Sequence, residues 1–72
     1  MLQIQIKNGA NQPVFVSEVY EKEEDIKHIK EFIDDALETL SCSNIELKDI
    51  SGNRCHIPRT IFSNNMIVMV EN

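Results

Sequence analysis

Cys55 and His56 stand side by side, and a thiol beside an imidazole is the pair a cysteine nucleophile needs, the imidazole drawing off the thiol proton. In an extended segment, however, neighbouring side chains leave opposite faces. The pair therefore reads as a small core residue, Cys55, next to Ile57, and a solvated His56 next to Arg54. Adding His28 and Cys42 completes the soft donors a zinc ion would want, since such a site takes about four ligands. None falls in a C-x-x-C or H-x-x-x-H spacing, so no metal site is expected. Glu31, Asp34, Asp35 and Glu38 suggest a cation or acid–base site. Hard cations are held by loops that wrap oxygens around them, which adjacent carboxylates on one helix cannot do. A solvated face also offers no burial to shift a pKa.

Phosphate and nucleic-acid chemistry fare no better. Gly9 and Gly52 are the only glycines, too few for a glycine-rich phosphate loop. The aromatic residues Phe15, Tyr20, Phe32 and Phe62 are not interleaved with basic residues as a nucleic-acid-binding sheet requires. Arg54, His56 and Arg59 make a modest basic patch in a chain of net charge −5. The reading is a protein without catalytic residues or cofactor, and not an enzyme.

The net charge maps onto one segment. From Glu23 to Ser41, Glu23, Glu24, Asp25, Glu31, Asp34, Asp35 and Glu38 face only Lys27 and Lys30, while acids and bases elsewhere cancel. In the same segment Ile26, Ile29, Ile33, Ala36 or Leu37, and Leu40 recur at spacings of three and four. That is an amphipathic helix, with Glu24, Glu31, Asp34, Asp35 and Glu38 as an acidic ridge opposite its apolar stripe. Such a ridge repels nucleic acid and anionic membrane and attracts basic partners. The acids of the first turn suit the positive end of the helix dipole, but no base offsets its negative end.

The elements around this helix read as strands. Leu2, Ile4 and Ile6 alternate with Gln3, Gln5 and Lys7, the period of a strand with one buried face. Asn8 to Pro13 carry turn residues, and a return strand is expected from about Val14 to Tyr20. Ile45 and Leu47, then Asp49 to Asn53, then Arg54 to Ile57 predict a second hairpin closed by Pro58. Arg59 to Phe62 predict a short helical turn, and Met66 to Val70 a continuous apolar strand of the kind covered on both faces.

Seventy-two residues make one domain, 1–72, near the lower size limit for a self-sufficient core. At 26% charged, it lacks the run of about 20 apolar residues that a membrane span needs. The opening residues alternate as a strand does and do not resemble a secretory leader, so a cytoplasmic address and reduced Cys42 and Cys55 are expected. The fold expected is α+β, ββαβββ, a mostly antiparallel sheet with one amphipathic helix on one face. In its core Ile26, Ile29, Ile33, Leu37 and Leu40 pack on Leu2, Ile4, Ile6, Ile45, Leu47 and Ile57.

One helix covers one face of such a sheet. Phe15, Met66 and Val68 are the residues expected to make an apolar interface on the other. The function expected is a non-enzymatic protein-interaction module, with a protein partner or as a homodimer through the sheet, and without nucleic acid or membrane. The alternative is an acidic inhibitor or nucleic-acid mimic that enters a basic groove through Glu24, Glu31, Asp34, Asp35 and Glu38.

Overall fold

A computed structural model describes residues 1–38 and 44–72. Their order is β1 (Leu2–Lys7), β2 (Pro13–Val16), α1 (Glu23–Glu38), β3 (Asn44–Lys48), β4 (Arg54–Pro58), α2 (Arg59–Ser63) and β5 (Met66–Glu71). The chain is thus a small α+β domain with antiparallel strand pairing throughout and one main helix. β1 is central between β2 and β5, while β3 and β4 form a separate hairpin. The alternating residues of β1 decide what lies where. Leu2, Ile4 and Ile6 are fully buried and meet Ile33 and Ala36 of α1, Ile45 and Leu47 of β3, Ile57 of β4 and Phe62 of α2 in one core.

The two hairpin turns share one architecture although their sequences differ. In the first, Asn8 Oδ1 accepts from the Ala10 and Gln12 amides at 2.9 and 3.0 Å. In the second, Asp49 Oδ1 accepts from the Ser51 and Asn53 amides, both at 2.9 Å. Each turn then closes with two backbone bonds, Asn8 to Gln12 and Asn11 to Asn8 in one, Asp49 to Asn53 and Gly52 to Asp49 in the other. The fourth residue is left-handed in both, Asn11 at φ 61° and Gly52 at φ 85°, and Asn and Gly bear that conformation at least cost. The amides on its carboxylate, that of Asn53 foremost, hold the Asp49 carboxyl below its usual range.

The return strand departs from its expected length. β2 ends at Val16, and from Ser17 to Tyr20 the chain divides its backbone bonds between the two sheets. Ser17 N–H donates to Ile4 C=O at 2.8 Å, and Tyr20 and Leu2 exchange bonds of 2.8 and 2.9 Å. Between them Glu18 N–H turns the other way, to Lys48 C=O at 3.0 Å. Ser17, fully buried, is what permits the switch. Its hydroxyl takes the Ile4 amide in place of a ladder carbonyl and donates to Glu18 C=O, both at 2.8 Å. The Ser17 carbonyl receives Gln3 Nε2 at 3.0 Å.

Three further expectations are corrected. On α1 the buried position is Ala36, and Leu37 is 49% exposed. The stripe Ile26–Ile29–Ile33–Ala36 turns by nearly whole helical turns, and Leu37 lies 100° round from Ala36 at its margin. Leu40 and Cys42 lie outside the described residues. Phe62, absent from the expected core, is buried because α2 folds back over β3. Finally β5, whose apolar run suggested a strand covered on both faces, lies at the edge of its sheet.

Candidate interaction site

Register assigns each strand residue to a face. Ile4 pairs with Met69 and Ile6 with Ile67, so these β5 side chains share the core face. Gln3 pairs with Val70, Gln5 with Val68 and Lys7 with Met66, which puts these on the outer face. Across β1, Gln5 pairs with Val16 and Ile6 with Phe15. Of the three residues expected to form an outer apolar face, Met66 and Val68 therefore lie there together. Phe15 does not. It points with Ile6 to the covered side and packs against the core, because Ile6 and Phe15 stand opposite each other and partners share a face. Val16 occupies the outer position instead, and Val70 extends the stripe. Val16, Val68 and Val70 are half-buried and Met66 is 52% exposed; none belongs to the core.

The edge of β5 has a chemistry of its own. In antiparallel pairing, residues alternate between sending their N–H and C=O to one neighbour and to the other. The Leu2–Tyr20 and Ile4–Ser17 bonds show that Leu2 and Ile4 face the β2 side. Gln3, Gln5 and Lys7 then face β5, where they meet Val70, Val68 and Met66. The Asn72 amide bonded to Met1 C=O at 3.2 Å continues the same alternation. What remains is Ile67, Met69 and Glu71, whose N–H and C=O groups point away from the sheet and have no backbone partner among the described residues.

Above this edge lies one margin of α1. Lys30 Nζ reaches Glu71 at 2.9 Å, an exposed pair. Leu37, seven residues further along the helix, stands on the same margin. The acidic ridge faces elsewhere. Glu24, Glu31, Asp34, Asp35 and Glu38 are all exposed and lie together on the side of α1 away from Ile33, with Asp34 nearest to Lys30, one turn along.

The other margin of α1 faces the β3–β4 hairpin across an open groove of about 590 Å³. Ile29, Phe32, Tyr20 and Leu47 line its apolar part, and Glu46 and Arg54 are paired at 3.3 Å on its rim. Burial, then the negative charges of Glu18 and Asp25, push the Tyr20 phenol above its usual range. The groove's lining carries Glu18, Asp25 and Glu46 against Lys48 and Arg54, charges of both signs. The groove is invisible in the sequence because its lining comes from four separate stretches, 18–20, 25–32, 46–48 and 54.

The remaining chemical candidates are dispersed. Cys55 pairs across the hairpin with Leu47 and His56 with Glu46, so thiol and imidazole leave opposite faces. Cys55 is a free thiol, its Sγ 3.7 Å from Asn53 C=O. Among the described residues no group of three or more His, Cys, Asp or Glu could hold a metal ion, and no helix is long and apolar enough to cross a membrane. Comparison with protein-family models, curated proteins and solved structures yields no match.

Proposed function

We propose that the protein is a non-enzymatic interaction module that associates with a second copy of itself through the β5 side of its sheet. One observation carries this reading. β5 is apolar on both faces, with Ile67 and Met69 inward and Met66, Val68 and Val70 outward, yet it lies at an edge. A strand of that composition is at home where both its faces and its edge are covered. A core this small also gains from burial shared with a second chain.

Sedimentation equilibrium from about 1 µM to 1 mM tests it, a span that reaches even a weak dimer. The expected result is a concentration-dependent dimer. A chain that stays monomeric throughout overturns the reading.

The second reading, an acidic ridge that enters a basic groove, is favoured by the exposure of all five carboxylates on one side of α1. Binding of that kind weakens steeply with salt, because exposed charges are screened over about 8 Å at physiological ionic strength. The apolar association through β5 does not share that dependence.

A further inference from the structure

Resting on self-association through β5, the backbone pattern on this strand goes further and specifies how two copies meet. We infer that β5 of one copy hydrogen-bonds edge to edge with β5 of a second, antiparallel and about a two-fold axis at Met69, making one continuous six-stranded sheet.

The register follows from which groups are available. Only Ile67, Met69 and Glu71 present N–H and C=O to the edge. An isologous contact must map this set onto itself. Placing Met69 opposite Met69 of the second copy sets Ile67 opposite its Glu71 and Glu71 opposite its Ile67. All three residues then exchange both bonds with their partners, six in all, and no available group is left over. Centring on Ile67 or on Glu71 leaves part of the set unmatched.

Side chains agree with this register. On the outer face it brings Val68 opposite Val70 of the second copy and the reverse, extending the stripe that Val16 begins. β-branched pairs of this kind stabilise a ladder. Charge agrees as well. Glu71 meets an isoleucine and not another Glu71, and it keeps Lys30 at 2.9 Å.

A two-fold axis through paired edges stands perpendicular to the sheet, so both α1 helices lie on the same face. Each turns its Lys30–Leu37 margin toward the axis, which gives Leu37, 49% exposed, an apolar surface to meet.

The strand lacks most of the devices by which edges avoid pairing, among them proline, a bulge and shortness. β5 is six residues long and pairs in unbroken register with β1, and its one charge, Glu71, stands on the core side opposite Leu2 at the strand's end, where it is paired with Lys30.

The experiment is amide hydrogen exchange by NMR on the whole chain, dilute and concentrated. The amides of Ile67, Met69 and Glu71 should be protected only at high concentration, while those of Val68 and Val70, bonded to β1, should be protected in both. Met69→Pro, which removes one outward N–H per copy, should weaken the dimer about thirtyfold, two bonds of six being lost. Because Met69 also packs on the core, its folding is checked by circular dichroism, and if the variant does not fold the exchange pattern alone decides. A dimer whose Ile67, Met69 and Glu71 amides exchange fast overturns edge pairing and leaves self-association standing. A chain that is monomeric at about 1 mM overturns both.

Discussion

The two edges of the three-stranded sheet are built on opposite plans. β2 is four residues long, begins with Pro13, and slips register between Ile6 and Lys7. Past Val16 its line is taken over by Ser17 to Tyr20, stitched to β1 on one side and to β3 on the other. β5 is longer, regular and apolar, and among the described residues its far side meets no strand. Exposure of an edge is thus set by what lies beside it and not by its own propensity. Val14 is 53% exposed at the guarded edge and Met66 52% at the open one, yet of the two strands β5 offers the longer and more regular row of backbone groups to a partner.

That contrast can be broken most forcefully at the β2 side. Ser17→Ala leaves the Ile4 amide without its partner in the interior, and a buried donor left unmade costs about 1–3 kcal/mol. Urea unfolding should show a loss of that size, and one of a few tenths of a kcal/mol would mean that the seam is held by something else. Gly52→Ala should cost about 1–2 kcal/mol, the price of a Cβ in left-handed backbone. Nothing lies within 4 Å of the added methyl, so the whole effect is conformational. Since Asp49 bridges to Ser17, this turn supports the same seam. Asn11→Gly in the matching turn should be neutral or stabilising by a few tenths.

Acid and base act on the β2 side as well. The folded-state pKa of Asp49 is depressed, so its contribution is present above the ordinary carboxylate value near 4 and is lost as pH falls through the lower folded value. That of Tyr20 is raised, so its contribution holds below about pH 10 and is lost as pH rises through the higher folded value. Thermal unfolding across pH should decline at both ends, and Asp49→Asn should flatten the acid limb.

The smallest effects belong to the open edge and the ridge. Lys30 and Glu71 make an exposed pair, worth about 0–1 kcal/mol, so Lys30→Ala should barely move the unfolding midpoint. Reversing Glu31, Asp35 and Glu38 to lysine should leave the dimer intact. Loss of the dimer in that variant would instead tie association to the ridge and remove the distinction between the two surfaces.

The element plan was legible in the residues, as was half of the candidate surface. Alternation in Leu2 to Lys7 marks β1, three-and-four spacing marks α1, and Asp49 to Asn53 mark a turn, each through a local pattern that needs no neighbour to be read. Ser17 was not legible. A lone hydroxyl ending the run Val14–Phe15–Val16 was its one signal, and nothing local says that it replaces a carbonyl in the ladder. Phe15 and Val16 exchanged faces for the same reason, since three apolar residues in a row do not declare which one points inward.

By itself the sequence determined the periodicities, the turn chemistry, the charge on one side of α1 and an apolar β5, because each depends on residues a few positions apart. Tertiary structure alone decided that β1 is central and β5 an edge, that Ala36 is buried and Leu37 is not, and that Ser17 joins the two sheets. Those outcomes depend on which distant segments come to lie beside one another, and strand pairing and core volume fix that choice over the whole chain at once.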